Sequence, residues 1–149
     1  MIAYLSGKIL AAQPGEIILG IGAIPGGGGI GYALAVPQSV AYATLLPGQL
    51  SEFHVHTHVR ESALDLVGFL SKLEKEVFLL LLQVNGIGPK AGLSILSHTS
   101  TPEDLIQAIL GEDKDFLVSI PGIGKKTAER VVIELGDVIR RRMKIGLLN

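Results

Sequence analysis

A stretch of 16 residues occurs twice in this chain, and this repeat constrains the fold more than any other feature of the sequence. Residues 81–96 (LLQVNGIGPKAGLSIL) align with residues 117–132 (LVSIPGIGKKTAERVV) at a shift of 36 residues. Each copy contains an apolar segment, a Gly-Ile-Gly turn and a segment with helical spacing, which predicts a helix, a tight turn and a second helix. The second half of the chain is therefore predicted to be helical.

The two turns combine features that are expected of a phosphate-binding site. Glycines let the backbone turn sharply and approach a ligand, while the isoleucine between them can enter the core. Each turn opens a helix, whose unpaired N–H groups and dipole favour an anion, and basic side chains lie near both helix starts. This is the pattern of the helix-hairpin-helix motif, although a Gly-Ile-Gly turn can also simply connect packed helices. The predicted DNA-binding residues are Gly86, Ile87, Gly88, Lys90, Gly122, Ile123, Gly124, Lys125, Lys126, Thr127 and Arg130.

The first half of the sequence has the features of a small β-barrel. Residues 17–51 carry no charge, and their glycines and prolines would interrupt any helix. About five strands in about 60 residues suit a closed or partly open barrel such as an OB-fold, with a compact sandwich as the alternative. The predicted strands are Ile2–Leu5, Glu16–Ile21, Tyr32–Val36 and Glu52–Val59, with turns at Gln13–Gly15 and Pro47–Gly48.

Apolar residues then recur every three or four positions, which predicts a helix and the start of a second domain. These residues are Leu66, Phe69, Leu70, Leu73, Val77, Phe78 and Leu81. Further helices are predicted at Pro89–Leu96, Pro102–Leu110 and Lys125–Arg142, and Thr101 with Asp104 resembles a capping box at the second of them. The predicted fold class is α+β multidomain: an all-β OB-fold domain at 1–65 and an all-α domain with two helix-hairpin-helix motifs at 66–149.

Composition narrows the functional classes. The longest purely apolar run is much shorter than the roughly 20 residues of a membrane-spanning helix, and the absence of cysteine excludes thiolate metal sites and thiol nucleophiles. Glycine patterns at 26–31 and 86–91 match the dinucleotide-binding fingerprint, which must follow a strand and open a helix. The first opens no predicted helix and the second follows a helix, so neither predicts a dinucleotide site. We therefore expect a cytoplasmic, non-catalytic protein with no ATP site, no cofactor and no metal.

The sequence as a whole resembles the bacterial RuvA family, which binds Holliday junctions in the RuvAB branch-migration complex. The resemblance rests on MIAYLSGKI at the start, GIGY at 29–32, HTHVRESA at 56–63, NGIGPKAGLSIL at 85–96 and PGIGKKTAERVVIEL at 121–135. It implies binding of four-way DNA junctions by a homotetramer, or an octamer of two tetramers, that holds the junction open in recombination and repair. It also implies a hexameric RuvB-type ATPase as partner.

The family resemblance further implies an acidic pin, a short loop of the barrel domain whose carboxylates repel phosphates at the junction centre. The family's loop is typically Arg-Glu-Asp, whereas this chain has Arg60, Glu61 and Ser62. One carboxylate of each subunit is therefore missing, and we expect an altered pin with about half the family's central charge.

Two further departures from the family pattern concern a loop between two barrel strands and the end of the sequence. The segment at 24–29 is longer than the family's compact glycine turn, so we expect an additional loop there. Family members usually continue through a linker to a third small helical domain that contacts RuvB, whereas this sequence ends at Asn149. We expect either that the sequence is a truncation or that the motor is recruited by another route.

Several charged or polar clusters have more than one interpretation. His54, His56 and His58 share one face of a strand, where they could bind zinc but more simply form a polar barrel face. Basic residues at 140–144 favour the negative end of the last helix, and acidic residues at 112–115 suit a helix start.

The rival functional hypothesis is a generic helix-hairpin-helix module that binds duplex DNA for a repair enzyme.

Overall fold

The computed structural model describes residues 1–22 and 26–148 and divides the chain into two compact units. The first unit is Met1–Lys75 and the second begins at Glu76, ten residues beyond the boundary expected from the sequence. Each unit has its own buried apolar core. None of the helices in the described ranges is long and apolar enough to cross a membrane.

The first unit is a closed five-stranded barrel, which confirms the predicted OB-like domain. Its strands follow the order β1-β2-β3-β5-β4 around the barrel, and β4 pairs with β1 to close it. All neighbours are antiparallel except β3 and β5, which run parallel at Leu34 and Leu66. The strands are β1 Tyr4–Gln13, β2 Glu16–Ile21, β3 Ile30–Ala35, β4 Leu50–Arg60 and β5 Ala63–Phe69, and a short helix α1, Val40–Ala43, precedes β4.

Alternation along the strands builds the barrel core. Ile17 and Leu19 on β2, and Phe53 and Val55 on β4, are at most 1% exposed, while the residues between them are less buried. Leu34 completes this apolar layer from β3. The turns that close β1–β2 and precede β4 contain Gly15 and Gly48 at positive φ, as the predicted turn positions require.

One prediction about the boundary region is wrong. Leu66 and Phe69, expected on a helix, lie on strand β5, and Leu70 lies in the connection after it. The following helix α2 spans Lys72–Leu82. The three- and four-residue spacing continued across the boundary by coincidence, because β5 is buried on both faces from Leu66 to Phe69 and loses its alternation. A local signal of the true start exists: the Ser71 hydroxyl accepts from the Glu74 amide at 3.1 Å, as at a capped helix start.

A polar cluster is buried in the first unit. The Tyr42 hydroxyl donates to the Glu74 carboxylate at 2.5 Å and accepts from the Leu70 amide at 2.9 Å. Burial, and after it the Glu74 carboxylate, raises the pKa of Tyr42 well above its ordinary value. These bonds tie α1 to the start of α2. Glu74 is only 8% exposed, and a buried carboxylate needs a hydrogen-bond donor.

The second unit is all helical, as predicted. Helices α3 Pro89–Ser97, α4 Pro102–Leu110, α5 Lys114–Ser119 and α6 Lys125–Lys144 follow α2. The predicted capping box of Thr101 and Asp104 is present at α4, and the Asp113 carboxylate caps α5 by accepting from the Phe116 amide. Helix α6 packs against α4 and α5 through a stripe at helical spacing: Ala128, Val131, Val132, Leu135, Gly136 and Ile139.

Candidate nucleic-acid interface

The two sequence repeats form turns with nearly the same backbone. Gly86 has φ +94° and Gly122 has φ +88°, a left-handed conformation that costs other residues energy. The second glycine of each turn, Gly88 or Gly124, is extended and stands at the N-cap of the next helix. Both turns therefore need glycine first for its conformation, whereas nothing in the conformation of the second position demands glycine.

The hydrogen bonds of the two turns also coincide at the 36-residue shift. The amide of Ile87 donates to Val84, and that of Ile123 to Ile120, each at 3.1 Å. Both isoleucines are 5% exposed, so their side chains fill the core as the sequence predicted. The core thus fixes each turn from inside, which leaves its glycine peptides facing outward.

Helix α3 and helix α6 begin with amides that their own helices do not use. The first intrahelical acceptors are the carbonyls of Gly88 and Gly124, which bind the amides of Gly92 and Ala128 at 2.9 Å. Amides before these have no partner in the helix, and neither N-cap residue has a side chain to bind them. Pro89 lacks an N–H where α6 has Lys125, so the start of α3 offers one amide fewer than the start of α6.

Space for a ligand exists at both turns. A Cβ atom added to any of the four turn glycines would meet no heavy atom of the described residues within 4 Å. The side chains of Lys90, Lys125, Lys126 and Arg130 are exposed, and Thr127 is half-buried. Each turn therefore brings together unpaired amides, the positive end of a helix and mobile positive charge, which is the chemistry of a phosphate site.

The residues expected to form the acidic pin occupy the tip of the β4–β5 hairpin. Arg60 pairs with Ala63 across the hairpin, and Glu61 and Ser62 are the two exposed residues between them. The Arg60 guanidinium donates to the Asp65 carboxylate at 2.7 Å. Sequence reasoning missed Asp65, although the hairpin register places it diagonally across from Arg60 on the same face.

The three histidines of β4 lie half-buried on one face of the strand. His56 and His58 have ring centroids 6.0 Å apart, and His54 makes an edge contact with Tyr4 at 5.6 Å. Burial, then the charges of His58 and Lys75, lowers the pKa of His56. Within the described ranges, no three His, Cys, Asp or Glu side chains are grouped to hold a metal ion.

The basic cluster at the end of α6 divides into two kinds of residue. Arg140 donates to the Leu110 carbonyl and Arg142 lies 3.5 Å from Glu76, so both stabilise packing within the second unit. Arg141 and Lys144 are exposed in the last turn of α6, where positive charge suits the helix dipole.

Comparisons with known proteins agree with both units. The model of the RuvA N terminal domain matches residues 1–68, and that of the SAM-like helix-hairpin-helix tandem matches residues 78–137. The Holliday junction branch migration complex subunit RuvA of Syntrophotalea carbinolica is 46% identical over 93% of this chain and 66% of its own length. The proteins of the same name from Geobacter sulfurreducens and Citrifermentans bemidjiense are 43% and 41% identical over 95% and 99% of this chain, which is 67% and 69% of theirs.

The chain thus spans about two thirds of the length of the relatives that it matches, at 66% for the first of them. Two matched domains, in the order that the barrel and the helical unit occupy here, together with more than 40% identity to named members, establish the relationship. The chain belongs to the RuvA family.

Proposed function

We propose that this chain is a non-catalytic DNA-binding subunit that recognises four-way junctions and holds them open for branch migration. The observation that carries the proposal is the pair of equivalent turns, each with unpaired amides, open space at its glycines and exposed lysines. The turn geometry by itself supports binding of phosphates without recognition of bases. The four-way junction as the bound DNA is inferred from the names of the relatives.

The phosphate contacts are assigned to the two hairpins. Lys90 serves the first turn, and Lys125, Lys126 and Thr127 serve the second, whose helix starts with one more amide. Arg130 adds positive charge near both turns, since it lies in α6 and contacts the Asn85 carbonyl. Because each phosphate contact releases a counterion, affinity falls steeply with salt and depends little on base sequence.

The acidic pin is assigned to the tip of the β4–β5 hairpin. Glu61 presents an exposed carboxylate, while the neighbouring Arg60 is paired with Asp65. A junction centre has several phosphates close together, and a carboxylate there repels them and favours separated strands. Four copies of Glu61 would meet at such a centre in a homotetramer, or eight in an octamer of two tetramers.

The same proposal includes an ATPase partner and a cytoplasmic location. The relatives' name places RuvA in a branch migration complex. A DNA motor of the RuvB type would supply the ATP hydrolysis that this chain is proposed not to perform.

A titration of the purified chain tests the proposal. A synthetic four-way junction and a linear duplex of equal length are titrated by gel shift at low and moderate salt, with the mass of each complex measured by light scattering. Preference for the junction by a complex of tetramer or octamer mass is expected. Equal, weak binding of both DNAs by a monomer would contradict the proposal and favour a generic helix-hairpin-helix duplex-binding module.

Matched substitutions assign the contacts. Lys126→Gln and Lys90→Gln each remove a charge at a hairpin, whereas Lys114→Gln removes an exposed charge from α5 in the same unit. The two hairpin variants are expected to lower junction affinity and Lys114→Gln to leave it unchanged. An equal loss in all three would show that only the net charge matters.

A further inference from the structure

Two side chains of the helical unit make equivalent contacts with opposite turns. The Ser94 hydroxyl on α3 donates to the carbonyl of Pro121 at 3.4 Å, and Nη1 of Arg130 on α6 donates to the carbonyl of Asn85 at 3.5 Å. The 36-residue shift converts Ser94 into Arg130 and Asn85 into Pro121. The second helix of each hairpin therefore contacts the turn of the other hairpin, and the two contacts are reciprocal.

The two acceptor carbonyls lie at the equivalent position of each turn. Asn85 immediately precedes Gly86, and Pro121 immediately precedes Gly122, the two glycines at positive φ. In a planar trans peptide the carbonyl and the following N–H point in opposite directions. A donor that holds the Asn85 carbonyl therefore also fixes the direction of the Gly86 amide, and the same holds for Pro121 and Gly122.

We propose that Ser94 and Arg130 are reciprocal positioning residues that orient the turn of the opposite hairpin and so fix the two phosphate sites relative to each other. The inference rests on the proposed phosphate-binding role of the turns. Arg130 then positions the first turn in addition to contributing positive charge. Ser94 positions the second turn, a role that its place in the sequence does not suggest.

Both contacts are long and lie at the surface, so they contribute little to global stability. Their effect is expected on the local opening of one turn. The interior bonds of the turns, from Ile87 to Val84 and from Ile123 to Ile120, provide a matched pair of reporters, since both measure 3.1 Å.

Amide hydrogen exchange of the full chain without DNA tests the crossed arrangement. Arg130→Met is expected to speed exchange of the Ile87 amide about two- to fivefold and to leave the Ile123 amide unchanged. Ser94→Ala should do the reverse. Arg130→Lys, which keeps a donor, should restore part of the protection, and Ser119→Ala, whose hydroxyl bonds within α5, should change neither amide.

General loosening of the helical unit would speed exchange at Ile87 and Ile123 alike. That result, or faster exchange in the hairpin to which the substituted residue belongs, would overturn the proposal. The comparison needs no DNA, so its outcome does not depend on whether the hairpins bind phosphates.

Junction binding supplies the second readout. Ser94→Ala removes no charge, and it is expected to weaken the contribution of Lys126 but not that of Lys90. In double-mutant cycles Ser94→Ala should therefore couple with Lys126→Gln and be additive with Lys90→Gln. Additivity with both would contradict the positioning role, whereas loss of any effect of the two lysine variants themselves would contradict the proposed function.

Discussion

Substitutions of the two glycines of one turn should have opposite effects on stability, and substitution of the second glycine should also weaken DNA binding. Gly122 is left-handed at φ +88°, so Gly122→Ala carries a strain of about 1–2 kcal/mol. Alanine has fewer conformations than glycine in the unfolded chain, which stabilises the folded state by about 0.4–1 kcal/mol and offsets part of this strain. We therefore expect a net loss of about 1 kcal/mol, or roughly 4–8 °C in Tm for a unit of this size.

Gly124→Ser is expected to behave in the opposite way. Gly124 is extended, with φ −86° and ψ 174°, and a Cβ there would meet no atom of the described residues within 4 Å. Serine is a favourable N-cap residue whose hydroxyl can accept from the amides of Lys126 or Thr127, so the helix should gain a few tenths of a kcal/mol. The same hydroxyl occupies amides that a phosphate would use, and loss of one charge-assisted hydrogen bond weakens junction binding by about tenfold or more.

The assay pairs thermal unfolding, followed by circular dichroism of the helices, with gel-shift titration of a four-way junction. Gly124→Ser should melt at or above the Tm of the unsubstituted chain and bind the junction more weakly. Junction binding by Gly124→Ser at full strength would refute the argument that the helix start receives a phosphate. A Tm for Gly122→Ala no lower than that of Gly124→Ser would refute the strain argument.

Three further perturbations test separate parts of the reasoning. Lys126→Gln should reduce the slope of log affinity against log salt by about 0.9 per lost phosphate contact, measured by titrations at several salt concentrations. Tyr42→Phe leaves the buried Glu74 carboxylate without its 2.5 Å donor and should cost about 1–3 kcal/mol in urea unfolding. Because the pKa of Tyr42 is raised in the folded chain, its contribution is fully present below its ordinary pKa of about 10 and falls as pH rises above it; this alkaline loss should shrink in Tyr42→Phe. Ser62→Asp restores a second carboxylate at the hairpin tip and should change the rate of strand separation or branch migration; an identical rate in both proteins would remove the charge argument.

Local signals in the sequence were sufficient for most elements. Strand β2 and helix α4 have the bounds predicted for them, and the last helix begins at the predicted Lys125. These elements start at a turn, a capping residue or a proline, each of which acts within a few residues. The positive φ of Gly86 and Gly122 is likewise a local requirement that the repeat displays.

Features that depend on residues distant in sequence were not predictable in the same way. The part of strand β5 from Leu66 to Phe69 is predicted as helix, because burial on both faces removes the alternation by which a strand is recognised. The bond from Tyr42 to Glu74 joins residues 32 positions apart, and no motif connects them. The contact of Arg60 with Asp65 becomes visible only after the register of the hairpin is known.

The reciprocal contacts of the helical unit show why even a clear repeat hides part of its own geometry. Ser94 and Arg130 are equivalent positions, but comparison of the two copies finds no likeness between a hydroxyl and a guanidinium. What the positions share is a hydrogen-bond donor, and what they bind is a main-chain carbonyl, which every residue possesses. The two copies of the repeat therefore need not have the same residue at the donor position or at the acceptor position. The symmetry is preserved in the backbone and in the direction of the hydrogen bond, so only the folded structure shows that each hairpin holds the turn of the other.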